Sequence, residues 1–180
     1  LEEVKNMKYK NLAIEILKKL LKDELKIRIK KNPIRYKSLL EILEELIEKY
    51  ENRLISSTKI IERLIELAKE IKKKEEEGID MGLSEEELVF YDLISSNEKS
   101  LEKIPEIKNL VKELVKMIRR DLSVDWTNNE IIKSRIRSNV KLLLARSTKL
   151  NTAEIESLSN SILDQSTIIF KEPEDVKLKI

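Results

Sequence analysis

Histidine and cysteine are both absent from this chain of 180 residues. Without them the chain lacks the usual ligands of structural zinc, a thiolate nucleophile and the side chain most often used in general acid–base catalysis. The absence of cysteine also fits an intracellular protein, and we expect a cytoplasmic location. No signal-peptide pattern opens the sequence, and no apolar run approaches the ~20 residues that span a bilayer.

Glycine and proline are scarce, with two and three copies. Because Gly78 and Gly82 fall in one loop, they cannot form a Walker A or dinucleotide-binding loop. Charged residues at 39% and hydrophobic residues at 41% give the composition of a helical protein. We therefore predict an all-α fold, as a single domain over residues 1–180 with a frayed tail at 171–180. Since the first residue is Leu1, we expect a fragment of a longer subunit.

Apolar residues at steps of three and four predict six helices. The first is expected over about residues 4–31, because the residue before Pro33 avoids the helical region. A capping box of Ser38 and Glu41 predicts the start of the second, which would continue to Glu77 and span ~60 Å. We expect this one very long helix to organise the domain. On the first helix one stripe holds Leu12, Ile16 and Leu20, and beside it lie Ala13, Leu17, Leu21 and Leu25.

Three further helix starts are expected, at a capping box of Ser84 and Glu87, at Pro105 and at Thr152. Phe90 is expected off the apolar stripe of the helix that follows Ser84. The side chains that we expect to face inward in the last three helices are Ile107, Leu110, Val111, Leu114, Ile118, Leu122, Ile132, Ile136, Val140, Leu143, Ile155, Leu158, Ile162 and Ile169.

The only tryptophan lies in the segment 119–130, R-R-D-L-S-V-D-W-T-N-N-E. Thr127 and Glu130 have the spacing of a capping box, in which each side chain accepts a hydrogen bond from the other residue's backbone N–H. Trp126 and Ile131 flank this box as a hydrophobic staple does. The segment therefore predicts a helix start with a large aromatic side chain at its mouth.

Basic residues concentrate in two segments although the net charge is only +2. Eleven basic and three acidic residues lie at positions 8–37, and nine and three lie at positions 116–149. Such segments either face a polyanion or simply solvate helix surfaces. Under the first interpretation, the candidate contacts to a nucleic-acid backbone are Lys18, Lys19, Lys22, Lys26, Arg28, Lys30, Arg119, Arg120, Arg135 and Arg137.

Several segments follow one another in an order that is typical of a known protein family, over about residues 9–143. They are Y-K-N-L-A-I-E-I-L-K-K-L-L-K-D-E-L from Tyr9, Y-E-N-R from Tyr50, L-I-E-L-A-K-E from Leu64, and G-L-S-E-E-E-L-V-F-Y-D-L from Gly82. The tryptophan segment follows, with S-R-I-R and V-K-L-L after it. This ordered set resembles the C-terminal helical domain of the restriction (motor) subunit of type I restriction–modification enzymes.

The resemblance implies an assembly role for the chain. Whole subunits of that family carry a nuclease domain and two RecA-like ATPase domains before the helical domain, and they pump and cut DNA with ATP and Mg²⁺. The helical domain is thought to dock this motor onto the methyltransferase and specificity subunits. By resemblance, the chain is non-catalytic and has no metal or cofactor of its own, whereas its parent is an ATP-dependent type I site-specific deoxyribonuclease.

Two other classes of function remain as alternatives. A helical nucleic-acid-binding module would grip the DNA backbone without sequence specificity through the basic segments. An autonomous enzyme would need a catalytic set, and we expect none: Asp175 and Lys177 resemble the end of a nuclease motif but lack its strands. Under the assembly hypothesis the candidate docking residues are Phe90, Tyr91 and Trp126, which otherwise belong to the core.

Overall fold

The computed structural model describes residues 10–96 and 106–171. Within these stretches the chain forms seven α-helices and one short 3-10 helix, and no strand, which confirms the all-α prediction. The chain divides into two compact units, Leu1–Met81 and Gly82–Ile180, which we name unit 1 and unit 2. That residues 1–180 fold as one domain stays a prediction. Some expectations refer to residues 4–9, to Pro105 and to the tail beyond residue 171. These positions lie outside the described residues.

The helices of each unit pack against one another. In unit 1 all three helices make mutual contacts. In unit 2 the first helix contacts the second and the fourth, and the third contacts the second and the fourth, which closes the arrangement. The helices of unit 1 are α1 (Lys10–Lys31), α2 (Pro33–Glu51) and α3 (Ser57–Asp80). Those of unit 2 are α4 (Glu85–Ser95), α5 (Ile107–Asp121), α6 (Glu130–Ser147) and α7 (Thr152–Ile169), with the 3-10 helix Trp126–Asn128 between α5 and α6.

The single very long helix expected over residues 38–77 is wrong, because a turn divides it. Helix α2 ends at Glu51, and Arg53 then adopts a positive φ of 59°, which a right-handed helix does not accommodate. Ser56 begins the next helix, since its side chain accepts a hydrogen bond from the backbone N–H of Lys59 at 3.2 Å. The chain therefore folds back, and α2 and α3 pack side by side.

Helix α2 also begins earlier than expected. Ser38 and Glu41 lie inside the helix, so their spacing is not a capping box here. The cap is Asn32, whose Oδ1 accepts a hydrogen bond from the backbone N–H of Arg35 at 3.1 Å, and Pro33 occupies the first turn. The same Asn-Pro pair thus ends α1 and begins α2.

Two helix starts in unit 2 are capping boxes. Ser84 Oγ accepts from the backbone N–H of Glu87 at 3.2 Å, and the Glu87 carboxylate accepts from the Ser84 N–H at 2.8 Å, as predicted. Helix α7 is capped by Asn151, paired with Glu154, rather than by Thr152. The apolar stripes expected on α5, α6 and α7 are confirmed, since all of their described members are buried or half-buried.

Candidate functional site

The first helix carries apolar side chains on two sides. One side is buried in the core of unit 1 and includes Leu17 and Leu21. On another side four large apolar residues remain exposed, at steps of four, four and seven residues, which places them on one side of a helix. We call this set the α1 stripe, and its members and exposed fractions are Leu12 53%, Ile16 39%, Leu20 62% and Ile27 59%.

A groove of about 330 Å³ lies beside the α1 stripe, between α1 and α3. Leu20 belongs to both the stripe and the groove, so the two form one continuous surface. At one end the guanidinium of Arg28 donates from Nη2 to Glu75 Oε2 at 3.0 Å. The other residues that line the groove are Leu17, Leu21, Glu24, Ala68, Ile71 and Lys72.

A row of lysines runs along the edge of the α1 stripe. Lys19, Lys22, Lys26 and Lys30 follow one another at steps of three, four and four residues and are all exposed. In the stretches 10–96 and 106–171, no carboxylate forms an ion pair with any of these four ammonium groups. We call them the lysine row.

Two other predicted nucleic-acid contacts on α1 are engaged within unit 1. Lys18 Nζ donates to Glu15 at 3.1 Å and to Glu51 at 3.2 Å. Partial burial acts to lower the pKa of Lys18, but these two carboxylates raise it above its ordinary value. The ammonium of Lys18 thus links α1 to α2 through Glu51.

Arg28 holds the three helices of unit 1 together. Its Nε donates to Glu24 at 2.6 Å and its Nη2 to Glu75 of α3, while its guanidinium lies 5.5 Å from the ring centroid of Tyr36 in α2. Burial acts to lower the pKa of Arg28, and hydrogen bonds to Glu24, Tyr36 and Glu75 outweigh it and raise that pKa. Arg28 is therefore a structural cation.

The four predicted contacts in unit 2 do not form a similar row. Arg119 pairs with Glu86 and lies 5.5 Å from the Phe170 ring centroid. Arg120 and Arg135 are exposed, whereas Arg137 is half-buried, and its buried Nε has no hydrogen-bond partner among the described residues. Of the ten predicted cations, only those of the lysine row lie together on one side of a helix. A role in DNA binding stays a prediction for all ten.

The aromatic residues expected to dock a partner lie in or against the core of unit 2. Trp126 is 2% exposed, and its indole N–H donates to the backbone carbonyl of Phe170 at 2.9 Å. Phe90 is fully buried, with its ring centroid 6.3 Å from that of Phe170, and Tyr91 is half-buried. Phe90 therefore faces the core, against the prediction that it lies off the stripe. The rings of Phe90 and Trp126 are thus part of the core here, and docking through Phe90, Tyr91 and Trp126 stays a prediction.

The helix start beside Trp126 differs from the predicted box. Thr127 belongs to the 3-10 helix, and α6 is capped by Asn129, whose Oδ1 accepts hydrogen bonds from the N–H groups of Ile131 and Ile132 at 3.0 and 3.2 Å. Ile131 is largely exposed, so it forms no staple with Trp126. Burial of the tryptophan therefore depends on the C-terminal end of α7 and not on a local motif.

Neither a metal centre nor a membrane span occurs in the described part of the chain. No group of three or more acidic side chains there is placed to hold a metal ion. No helix among residues 10–96 and 106–171 is both long enough and apolar enough to cross a bilayer. The pair Asp175 and Lys177 lies outside the described residues.

The described residues thus form an all-helical module whose most distinctive surface is apolar and basic. Residues 1–172 match the family described as type I restriction enzyme HindI endonuclease subunit-like, C-terminal. The chain belongs to this family of C-terminal domains, which confirms the resemblance found in its sequence.

Two curated relatives carry the same kind of name. A protein of Methanocaldococcus jannaschii, named for the endonuclease subunit of the type I restriction enzyme MjaIXP, is 35% identical over 172 residues, which cover 94% of this chain and 16% of that protein. The type I restriction enzyme HindI endonuclease subunit of Haemophilus influenzae is 27% identical over 148 residues, covering 81% of this chain and 14% of that subunit. The chain thus spans less than a fifth of either relative. No solved structure matches it significantly.

The α1 stripe was visible in the sequence but was not interpreted as a surface. Leu12, Ile16 and Leu20 form one stripe, and the core residues of α1 form a second beside it. Together they cover more of the helix circumference than a surface helix buries in one core. That excess width was the available signal for a second contact face.

Proposed function

We propose that this chain is the assembly module of a type I restriction enzyme endonuclease subunit, and that it docks the motor onto a core of methyltransferase and specificity subunits. The observation that carries the proposal is the α1 stripe. Four large apolar side chains on one helix side, continuous with a groove, form the kind of exposed patch that marks a protein interaction site. A partner that covered this surface would remove it from water.

The catalytic groups would belong to other parts of the parent subunit. ATP and Mg²⁺ would be bound by its motor and nuclease domains, and we propose that the 180-residue chain alone hydrolyses neither ATP nor DNA. ATPase and plasmid-nicking assays on the purified chain with Mg²⁺ test this. Activity that co-purifies with the chain through repeated separation steps would contradict it. The enzyme would act in the cytoplasm.

Docking is tested with the methyltransferase–specificity core encoded alongside the parent subunit. The purified chain should co-elute with that core in size-exclusion chromatography, and Leu20→Ser should weaken the association. The matched control is Leu142→Ser, which removes an equally exposed leucine from α6 in unit 2. Absence of any association at micromolar concentrations would overturn the proposed function.

A second candidate function is non-specific binding to the DNA backbone, and the observation that favours it is the lysine row. Lysines that contact phosphates release condensed counterions, so the logarithm of the binding constant falls with the logarithm of salt at about −0.9 per contacted phosphate on duplex DNA. A gel-shift titration at several salt concentrations measures that slope. Absence of binding at low salt leaves protein docking alone.

A further inference from the structure

We infer that the α1 stripe and the lysine row together receive one acidic amphipathic helix of the docking partner. The inference rests on the proposed function and specifies the chemistry of the segment that docks. An amphipathic helix in a groove binds through apolar anchors at helical spacing, and its flanks determine which partner is accepted.

The apolar part of the surface has the length of a short helix. Leu12 and Ile27 are fifteen residues apart, which corresponds to ~22 Å along α1, or about four turns. Between them Ile16 and Leu20 stay exposed, and Leu20 continues into the groove against α3. A second helix laid along α1 would therefore meet apolar side chains at each end and in the middle.

The charge of the same surface selects an acidic occupant. The lysine row extends from Lys19 to Lys30, about three turns, along one edge of the α1 stripe. None of its four lysines has an ion-pair partner in the part of the chain that the structure describes. Two exposed carboxylates share this side of α1, Asp23 within the stripe and Glu15 beside the lysine row, so four lysines against two acids leave an excess of positive charge. Glutamates along one flank of a partner helix would complement that row.

A nucleic acid fits the same surface less well. Phosphates would match the lysines but would leave Leu12, Ile16 and Leu20 against a polar, hydrated backbone, where burying them gains nothing. Unit 2 offers the comparison: Lys108, Lys112 and Lys116 form an exposed row on α5, at steps of four. No exposed large apolar residue lies on the described helix α5 beside that second row. If charge alone determined binding, the two lysine rows would bind equally well. An amphipathic helix also needs exposed apolar side chains, and these lie beside the row on α1.

The experiment uses the 180-residue chain and two synthetic helical peptides of about eighteen residues, ~27 Å long. Both carry the same leucine face, and one has glutamates along one flank where the other has lysines. Fluorescence anisotropy should detect binding of the glutamate peptide and not of the lysine peptide. The triple variant K19E/K22E/K26E and the double variant I16S/L20S should each weaken binding about tenfold or more. The matched control K108E/K112E/K116E should bind like the parent chain.

The competing occupants give different results. Binding of duplex DNA that K19E/K22E/K26E abolishes and I16S/L20S leaves intact would overturn the inference, because the row would then serve phosphates. Equal binding of both peptides would overturn it too, since the charge would select nothing. Thermal melting by circular dichroism checks that each variant stays folded, as expected for substitutions of exposed residues.

Failure of this inference differs from failure of the proposed function. If the chain binds the methyltransferase–specificity core and the glutamate peptide competes, both hold. If the core binds equally well to the chain and to the two α1 variants, the docking function stands and this surface is not the one used. If the chain does not bind the core but binds the glutamate peptide in the way described, the inference about the surface holds and the assigned partner is wrong.

Discussion

Unit 1 and unit 2 are helical units of similar size whose cores contain different kinds of side chain. In unit 1 the hydrophobic core consists of leucines, isoleucines and an alanine, with Tyr36 as the only aromatic among the described residues. In unit 2 three aromatic residues, Phe90, Trp126 and Phe170, join the aliphatic core. The rarest and largest side chains of the chain thus serve the interior of one unit.

The exposed apolar residues differ in the opposite sense. Unit 1 places four of them on one side of α1, beside a row of lysines. In the described part of unit 2 the exposed ones are isolated: Val124 precedes the 3-10 helix, Ile168 lies in the last turn of α7, and Ile131 and Leu142 lie three turns apart on α6. The contrast teaches that in this chain aromatic residues indicate a core, whereas aliphatic residues form the candidate interface.

The largest expected effect is that of Trp126→Ala. The substitution removes a ring from the core of unit 2 together with its hydrogen bond to the Phe170 carbonyl, so we expect a loss of ~3–5 kcal/mol in the free energy of unfolding. Urea denaturation followed by circular dichroism measures it. Trp126→Phe should cost less, because it keeps a ring and removes the N–H donor. A loss below about 1 kcal/mol for the alanine variant would contradict a core role.

A smaller effect is expected at Arg28, the cation that joins the helices of unit 1. Arg28→Met keeps most of the apolar stem and removes the hydrogen bonds to Glu24 and Glu75, so we expect a loss of ~1–3 kcal/mol. The matched control is Arg63→Met on α3, which breaks one exposed ion pair with Glu66 and should cost under ~1 kcal/mol. Equal losses in the two variants would show that the network at Arg28 acts as an ordinary surface pair.

The sequence predicted correctly the helices whose apolar stripes end at clear turn signals. The stripes of α5 and α6 were found because residues such as Leu114 and Val140 recur at helical steps and face one core. The break between α2 and α3 was missed because no glycine or proline marks it. A non-glycine residue, Arg53, takes the left-handed conformation there, and packing of α2 against α3 decides the turn.

Capping boxes were reliable only where the helix pattern agreed with them. In a chain this rich in glutamate, the Ser/Thr-x-x-Glu spacing also arises inside helices, as at Ser38, and beside a different cap, as at Thr127. Asn32 and Pro33 mark the start of α2 as well as the end of α1, and only the end of α1 was predicted from them. The burial of Phe90 and Trp126 depends on Phe170, which is remote in sequence, so no local pattern could predict it.

The caps allow a comparison of the two units at a scale of about 1 kcal/mol. Asn32→Ala should cost up to ~2 kcal/mol, because the side chain is buried and caps α2, whereas Asn129→Ala at the exposed start of α6 should cost ~1 kcal/mol or less. Thr127→Ala is the control and should change little, since Thr127 does not cap α6. A larger loss for Thr127→Ala than for Asn129→Ala would restore the capping box expected from the sequence. Urea denaturation of the three variants decides it.

The smallest expected effects concern the dependence of stability on pH, which should differ between the units. In unit 2 the carboxyl of Glu156 is paired with Lys141, and hydrogen bonding to that lysine lowers the pKa of Glu156 below its ordinary value of 4.5. This contribution is therefore present above pH 4.5 and is lost as the pH falls through the folded-state pKa. In unit 1, burial acts to lower the pKa of Lys18 and its hydrogen bonds to Glu15 and Glu51 raise it above 10.5 overall. That contribution is present below pH 10.5 and is lost as the pH rises through the folded-state pKa.

Two variants separate these limbs of the pH profile. Glu156→Gln should flatten the fall in melting temperature on the acid side, because the amide cannot be protonated in this range. Lys18→Met should flatten the fall on the alkaline side, since it removes a group that titrates at alkaline pH. Melting temperatures measured from pH 3 to pH 11 by circular dichroism provide the test. If Glu156→Gln left the fall on the acid side as steep as in the parent chain, the pair with Lys141 would contribute nothing that depends on the charge of Glu156. If Lys18→Met left the alkaline limb unchanged, the bonds from α1 to Glu51 would contribute nothing that depends on the charge of the lysine.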